Sequence, residues 1–548
     1  MLLKLLQILR SFSKKERLIF IAAFLIFLTT FLLVSIAFIR FNTILVPVDS
    51  GEYTEGIIGQ PIFLNPVLSE NNTSDSEINR LVFASLKNIM ETYVINSDKK
   101  TFMVRIKGDL KWQDNQPLTT DDIIFTIEAI QDQDTNSPLY QSWKGVKVER
   151  VSEREMKIVL PYQYAFFENI LKSLKPIPKH IFSNIPFAHM KLSNYNLEPI
   201  GSGVFTFSGF SKQKDGFITS ILLERNKQFS DTKSHLNKFT FKFYRTEDEL
   251  IKAFNSGDID GFALNDPKKL SSLYTPHQVS TILMSRYYAI FLNPSSNPLL
   301  KDSSIKTALN YATDKKTIAD KVFNGYALPI EGPVLIGNND WDMQHEFSIE
   351  KANQILDSAG WTLNSDGVRE VKDKTSTKKL EFAITVYPAP FLIETVKILK
   401  DDWAKIGVKI NINTPSPSNF EENVIRTRNY DMLAFGNIYG ENLDLFSFWH
   451  SSQKFYPGLN LSVYDNKNAD LLMEIIRTDF DQNKRAEELK KLQSVIQNDQ
   501  PAVFLYSPSY IYISTKALHG FTTDNIGLPS DRFLNINDWY VKTARILK

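Results

Sequence analysis

Side chains that usually carry catalysis or bind metals are scattered along this chain and match no known motif. None of its seven histidines lies three or four residues from another, so no metal site on one helix face is predicted. Gly201-Ser-Gly203 lacks the third glycine of a dinucleotide-binding turn. Asp258-Ile-Asp260 lacks the further ligands of a calcium loop. The sequence therefore predicts no bound metal and no cofactor.

Motifs for covalent catalysis are missing as well. The chain contains neither a Gly-x-Ser-x-Gly nucleophile elbow nor a phosphate loop of the Gly-x-x-x-x-Gly-Lys-Ser/Thr type. It has no cysteine, which excludes disulfides, thiolate nucleophiles and a lipidated N-terminal cysteine. Two of the 62 acidic residues could form a carboxylate pair for glycoside hydrolysis, although no spacing in the sequence indicates such a pair. We expect a protein that is not an enzyme, with a cell-wall hydrolase as the weaker alternative.

Aromatic residues give the clearest signal of function. Phe, Tyr and Trp make up 12% of the chain, and some of them cluster in polar, turn-rich segments. Two such segments are Phe435-Gly-Asn-Ile-Tyr439 and Phe446-Ser-Phe-Trp-His-Ser-Ser452. Rigid apolar rings interleaved with polar side chains are typical of a cleft that binds a small solute. The alternative is that these rings pack an interface between two lobes.

One segment near the N-terminus is predicted to cross a membrane. Residues 18–39 are uncharged, and as a helix they would extend about 33 Å, enough for a hydrocarbon core of about 30 Å. Five basic residues and one acidic residue precede the segment, which predicts a cytoplasmic N-terminus. A cleaved signal peptide is the alternative, but its apolar run is usually only about 7–15 residues long. We expect a basic cytoplasmic segment at 1–17, an anchor at 18–39 and a tether at 40–51.

The charge balance argues against a nucleic-acid partner. The whole chain carries a net charge of +1. Residues 1–40 hold six basic residues and one acidic residue, a net +5, so the remainder carries −4. A mildly acidic external part is poorly suited to neutralising phosphates.

Helical and strand patterns alternate through the external part. Thr119 and Asp122 form a predicted capping box, followed by isoleucines at helical spacing. Asp302 and Asp314 are predicted to start two further helices. The 548 residues suggest three or four compact units, and the alternation predicts mixed α/β lobes.

Short motifs from residue 54 onward occur in a fixed order. They are Thr54-Glu-Gly-Ile-Ile-Gly59, Leu64-Asn-Pro66, Lys111-Trp-Gln-Asp-Asn-Gln-Pro-Leu-Thr-Thr-Asp-Asp122, Pro199-Ile-Gly-Ser-Gly203, Leu223-Glu-Arg-Asn226, Ala253-Phe-Asn-Ser-Gly-Asp-Ile-Asp260, Phe291-Leu-Asn-Pro294, Ala308-Leu-Asn-Tyr-Ala-Thr-Asp314, Ala359-Gly-Trp361 and Ile406-Gly-Val408. Together they resemble the family 5 extracellular solute-binding proteins, the oligopeptide and dipeptide receptors of ABC importers. The resemblance extends from about residue 52 to the C-terminus.

The resemblance implies an α/β fold, a periplasmic-binding-protein-like clamp of two lobes (type II) with an extra subdomain in lobe 1. Lobe 1 would span 52–289, with the inserted subdomain at about 90–195, and lobe 2 would span 290–500. Residues 501–548 would return to lobe 1. The expected partners are a peptide or related small solute, ABC permease subunits and the membrane, with no nucleic acid. We expect a monomer at the cell membrane, with a single span and an extracytoplasmic C-terminal part.

The ligand site implied by the resemblance lies in and after residues 435–440. The candidate ligand-binding residues are Phe435, Asn437, Tyr439, Asp444 and Trp449. Peptide receptors of the family typically carry an Asp in a Trp-x-x-Asp stretch that pairs with the peptide's α-ammonium group. Here the nearest equivalent, Asn437, is uncharged, and Asp444 either substitutes for it or caps a helix.

The ligand and the role in transport therefore stay open. The family also binds nickel chelates, haem and sugars. A sensory or structural surface protein on the same fold is the main alternative function.

Overall fold

The computed structural model describes residues 12–69, 72–229, 233–335, 345–372, 376–440 and 442–547. Its first element, helix α1 (Lys14–Asn42), has no buried residue. Ser13 caps this helix, because its hydroxyl accepts from the Glu16 N–H while the Glu16 carboxylate accepts from the Ser13 N–H. Within the described ranges, α1 alone is long and apolar enough to cross a membrane, with a mean hydropathy of 2.8.

The remaining elements follow in chain order. The strands are β1 (Thr43–Pro47), β2 (Glu52–Ile58), β3 (Met90–Ile95), β4 (Thr101–Ile106), β5 (Lys147–Arg150), β6 (Glu155–Val159), β7 (Phe205–Lys212), β8 (Ile218–Arg225), β9 (Lys238–Tyr244), β10 (Gly261–Leu264), β11 (His277–Met284), β12 (Arg286–Leu292), β13 (Ala327–Pro329), β14 (Thr362–Leu363), β15 (Arg369–Lys372), β16 (Thr377–Lys379), β17 (Glu381–Val386), β18 (Lys409–Asn413), β19 (Met432–Ile438), β20 (Ala502–Pro508), β21 (Tyr510–Thr515), β22 (Asn525–Ile526) and β23 (Thr543–Leu547). The α-helices are α2 (Thr73–Val82), α3 (Leu86–Ile89), α4 (Thr120–Gln131), α5 (Tyr140–Trp143), α6 (Phe167–Ser173), α7 (Lys179–Phe182), α8 (Glu247–Ser256), α9 (Ser303–Tyr311), α10 (Lys315–Phe323), α11 (Ile349–Ser358), α12 (Pro390–Ala404), α13 (Pro417–Phe420), α14 (Phe446–Trp449), α15 (Lys467–Thr478) and α16 (Gln482–Asp499). Short 3-10 helices span Phe187–Leu192, Asn194–Asn196, Pro267–Ser272, Pro298–Lys301, Ser451–Gln453, Pro529–Phe533 and Ile536–Asp538, and Glu421–Ile425 forms a π-helical turn.

Lobe 1 is built on a mixed sheet of eight strands in the order β22-β11-β21-β10-β2-β9-β8-β7. Strand β2 pairs in parallel with both β9 and β10. A second sheet, β3-β4-β6-β5, forms the inserted subdomain. Its helix α4 confirms the predicted capping box, because the Asp122 carboxylate accepts from the Thr119 N–H at 2.9 Å.

Lobe 2 has its own sheet of six strands in the order β13-β20-β12-β19-β17-β18. Helices α9, α10 and α12 contribute apolar side chains to its core. The predicted caps are confirmed, since the carboxylates of Asp302 and Asp314 accept from backbone N–H groups at the starts of α9 and α10. Each lobe has its own core, and Phe166 of the inserted subdomain also packs into a core cluster of lobe 2.

The chain passes between the two sheets at Ser285 and Ser509. Strands β11 and β21 lie in the sheet of lobe 1, and strands β12 and β20 lie in the sheet of lobe 2. The sequence placed these changes at 289/290 and 500/501, whereas strand pairing puts them at Ser285 and Ser509. We call these two crossing segments the hinge.

The residues expected to form a tether at 40–51 are ordered in the structure. Helix α1 continues to Asn42, and β1 follows directly and pairs antiparallel with β23. Beyond β1, Asp49 bonds to His235 at 2.7 Å. The sequence did not reveal this pairing because the partner strand lies at the opposite end of the chain. We call β1 and β23 together the ribbon.

A buried ion cluster joins distant parts of lobe 1. The Arg532 guanidinium donates to Glu55 Oε1 at 2.7 Å and to both Glu77 carboxylate oxygens at 2.6 and 2.7 Å. The Tyr512 hydroxyl donates to Glu55 Oε2 at 2.7 Å. Because two carboxylates share one guanidinium in a dry site, burial raises the pKa of Glu55 to about 7.

We predict that Glu55→Gln reduces the pH dependence of stability. Folded Glu55 holds a proton that the unfolded chain, with a pKa of 4.5, releases, so this group lowers the free energy of unfolding as pH rises from 4.5 to about 7. The slope is at most about 1.4 kcal/mol per pH unit. Thermal unfolding of the full chain in nanodiscs, followed by tryptophan fluorescence, measures it. An equal pH slope in the variant would contradict the assignment.

Candidate functional site

The lobes also touch away from the hinge, through a contact that we call the latch. It comprises Tyr164, Ala165 and Asn169 of the inserted subdomain and Asn442, Asp444 and Arg477 of lobe 2. The Tyr164 hydroxyl donates to Asp444 Oδ2 at 2.8 Å. The Ala165 N–H donates to the Arg477 carbonyl at 2.7 Å, and Asn169 donates to Asn442 at 2.7 Å. The structure is therefore a closed arrangement of the two lobes.

The centre of the latch combines charge with aromatic packing. The Arg477 guanidinium lies 4.9 Å from the Tyr164 ring centre and 4.2 Å from that of Phe446. Its Nε is 3.2 Å from Asp444 Oδ2, which neutralises the carboxylate. Burial, and then the neighbouring Asp444 charge, raise the pKa of Tyr164, so its hydroxyl stays protonated and donates.

A cavity of about 410 Å³ borders the hinge. Its lining includes Ser285 at the hinge and Lys172 in α6, the helix that carries Asn169 of the latch. The Ser285 carbonyl accepts from the Tyr439 N–H at 2.9 Å, so lobe 2 lies directly beside this point. The volume falls within the range of about 300–1,000 Å³ that is usual for small-molecule sites.

The cavity lining carries more positive than negative charge. Arg80, Lys87, Lys172 and Lys175 face it, against one carboxylate, Asp531. Arg80 pairs with Asp531, and Lys172 pairs with Glu168 at 2.5 Å.

The acidic and apolar parts of the lining have separate roles. Asp531 Oδ2 accepts from the Gly527 and Leu528 N–H groups, so this carboxylate is already satisfied. Phe83, Val204 and Phe533 supply apolar surface. The lining thus suits a solute with an anionic group and an apolar body.

One acceptor in the lining lacks a partner. Asn537 Oδ1 is buried and has no hydrogen-bond partner among the residues that the structure describes. A buried acceptor without a donor costs free energy that a bound N–H group recovers. The cations of the lining fit a solute that carries a carboxylate.

Four of the five predicted ligand-binding side chains pack inside lobe 2 instead. Trp449 is fully buried against Phe504, with ring centres 5.6 Å apart. The Tyr439 hydroxyl donates to the Pro333 carbonyl. None of the five side chains lines the cavity beside the hinge.

Strand geometry explains where Phe435 and Asn437 point. The Asn437 amide donates to the Tyr287 hydroxyl at 2.8 Å inside the lobe, and Phe435 stacks on Phe420 at 5.6 Å. Because side chains alternate along β19, Ile438 points the other way and is 54% exposed. The Trp-x-x-Asp spacing counted from Phe435 ends at Ile438, whereas Asn437 is buried inside lobe 2.

Asp444 occupies the latch and not a free position in the cavity. Arg477 and Tyr164 already engage one carboxylate oxygen, and the other accepts from the Phe446 N–H at 3.1 Å. That last bond lies at the start of α14, whose N-cap position is Leu445. In this closed arrangement its charge is already balanced.

Sequence reasoning missed the cationic side chains of the cavity. Arg80 belongs to α2, Lys87 to α3 and Lys172 to α6, and Lys175 follows α6. No local motif links these positions, because the packing of the inserted subdomain on lobe 1 brings them together. Lys172 and Lys175 are three residues apart, a spacing that alone indicates only a solvated helix face.

Comparison with known proteins identifies the family. The family model "Bacterial extracellular solute-binding proteins, family 5 Middle" matches residues 87–456. The chain belongs to this family. The oligopeptide-binding protein AppA of Bacillus subtilis is 26% identical over 528 residues, which cover 90% of this chain and 92% of AppA.

Solved structures of the family share the fold. AppA of Bacillus subtilis in complex with a nonapeptide aligns with a TM-score of 0.69, covering 91% of this chain and 100% of that chain at 26% identity. The substrate-binding protein CtaP of Listeria monocytogenes aligns at 0.75, covering 90% and 99% at 24% identity. NikZ of Campylobacter jejuni in complex with Ni(L-His) aligns at 0.70, covering 90% and 100% at 23% identity. The predicted two-lobed α/β clamp is confirmed.

We predict that Tyr164→Phe weakens the latch. The variant keeps the ring against Arg477 but removes one hydrogen bond, a loss of about 1 kcal/mol or about fivefold in the ratio of closed to open molecules. Hydrogen–deuterium exchange of the segment containing Ala165 measures the effect, because the Ala165 N–H bonds across the lobes. We expect exchange to be about fivefold faster.

Tyr162→Phe is the matched control for this experiment. Tyr162 lies in the same loop, but its side chain is 59% exposed. Equal exchange rates in both variants would show that the Tyr164 hydroxyl does not hold the lobes together.

Proposed function

We propose that this protein is a membrane-anchored receptor of an ABC importer that binds a peptide or related small solute between its lobes. The observation that carries the proposal is the cavity beside Ser285, bounded by the hinge and by the helix of the latch. A solute held there favours closure by the difference between its affinities for the closed and open forms. Membership of a solute-binding family supports the same role.

Peptides fit the chemistry of the cavity. Each peptide has a carboxylate for the lysine and arginine side chains of the lining. The relative AppA is named as an oligopeptide-binding protein, which supports the same ligand class. The proposed ligand site is therefore the cavity, reached by the solute when the latch is open.

A binding screen tests this function. Purified full-length protein in nanodiscs is first analysed by mass spectrometry for co-purifying solutes, and its melting temperature is then measured with peptide and sugar libraries. We expect peptides to raise the melting temperature, because a ligand of the native state stabilises it by mass action. No shift with any peptide at millimolar concentration would contradict the proposal.

We predict that Lys87→Ala weakens binding of the best peptide from this screen. The side chain lines the cavity and is exposed, so its charge contributes a screened attraction of about two- to fivefold in Kd. Titration calorimetry at low and high salt measures it, and the difference from the parent protein shrinks as salt rises. Lys316→Ala, an exposed lysine of lobe 2, is the control. If Lys87→Ala and the parent protein bind the peptide with equal affinity at low salt, this wall of the cavity does not contribute to peptide binding.

We further propose that α1 remains as an uncleaved anchor with a cytoplasmic N-terminus. Its apolar residues are fully outside the folded lobes, and the basic residues precede it. The protein extracted from membranes is therefore expected to have the full mass of 62.9 kDa. Intact-mass spectrometry decides the point, since a processed leader would leave a shorter chain in the soluble fraction.

A further inference from the structure

The ribbon begins where the proposed membrane span ends. Helix α1 ends at Asn42 and β1 begins at Thr43, so no flexible residue separates them. At about 3.3 Å per residue, Leu45 lies within about 10 Å of the helix end along the chain. In the register of the ribbon, Thr43 faces Leu547 and Ile44 faces Ile546. The last residues of the chain are thereby brought to the same level as the end of the helix.

The part of the ribbon beside the helix exposes apolar side chains. Ile44 is 45% exposed, Leu45 58%, Ile546 47% and Leu547 77%. The opposite end of the ribbon is less apolar, since Pro47 faces Thr543 there. Large apolar side chains grouped on one exposed element mark an interaction surface.

Charge and sheet size indicate what covers this surface. Arg40 lies in the last turn of α1, and Arg545 lies opposite Leu45 in the ribbon. The nearby carboxylate of Asp49 is already bonded to His235. The ribbon is a sheet of only two strands, which is marginally stable when exposed to water on both faces. Basic side chains next to apolar ones match an anionic lipid headgroup layer over acyl chains.

We propose that the ribbon is a second membrane contact, in which Ile44, Leu45, Ile546 and Leu547 enter the interfacial layer of the bilayer. This inference rests on α1 being a membrane anchor. The contact ties the C-terminal strand, and with it lobe 1, to the membrane surface. The receptor is then held at a fixed height and does not swing on a flexible linker.

Single cysteine labelling in the full chain tests the proposal, and the absence of native cysteine makes each label unique. Four variants carry an environment-sensitive fluorophore in anionic nanodiscs at one copy per disc: Leu28→Cys, Ile44→Cys, Leu547→Cys and Thr543→Cys. Quenchers attached to lipid acyl chains and a water-soluble quencher are applied separately. We expect a lipid-dependent loss of fluorescence at 28, 44 and 547, and loss to the aqueous quencher alone at 543.

The outcomes separate the two proposals. If lipid quenches the label at 28, but the labels at 44 and 547 are quenched by the aqueous quencher alone, as at 543, the anchor is in the bilayer and the ribbon does not touch it. If those at 44 and 547 are shielded from both quenchers, protein covers the ribbon and the proposal is overturned. If the label at 28 is not quenched by lipid, the anchor itself is wrong, and the ribbon contact falls with it.

Discussion

Two adjacent backbone crossings, at Ser285 and Ser509, are the constraint on which the rest of the structure depends. The strands on either side of them pair with one another in both sheets, β11 with β21 in lobe 1 and β12 with β20 in lobe 2. Two crossings side by side allow rotation about one axis and resist twisting about others. The cavity lies beside one of these crossings, since Ser285 is part of its lining.

Polar interactions are distributed so that the lobes are rigid and the contact between them is weak. Inside lobe 1, Arg532 binds Glu55 and Glu77 where all three are almost fully buried, which fixes the returning C-terminal segment to the first strand of the sheet. Between the lobes, the latch combines three hydrogen bonds, each worth about 1 kcal/mol net, with the Arg477–Asp444 ion pair and the contacts of Arg477 with two aromatic rings. A solute needs only a few kcal/mol of differential affinity to control an equilibrium of this size.

Local signals in the sequence predicted the elements of the fold well. The capping residues Thr119, Asp302 and Asp314 were identified because their bonds are made within a few residues of the chain. Contacts over long distances were not predictable in this way. The pairing of β1 with β23 and the grouping of Arg80 with Lys172 each depend on tertiary packing.

The site residues show the same limit. An aromatic side chain in a polar segment has the same sequence signature whether it lines a cleft or fills a core, and Tyr439 and Trp449 fill the core of lobe 2. The direction in which a strand side chain points depends on register, so the adjacent residues Asn437 and Ile438 face opposite sides of β19. Asp444 pairs with Arg477, which comes from another helix, so no local pattern in the sequence indicates this contact.

Closure of the lobes over a solute can be followed as the distance between them in solution. Spin labels on cysteines introduced at two exposed positions, Lys214 in lobe 1 and Lys397 in lobe 2, report it in the otherwise cysteine-free chain. The account predicts a mixture of long and short distances without solute and a single short distance once a bound peptide is added. The same distance distribution with and without bound peptide would contradict a receptor that closes over its ligand.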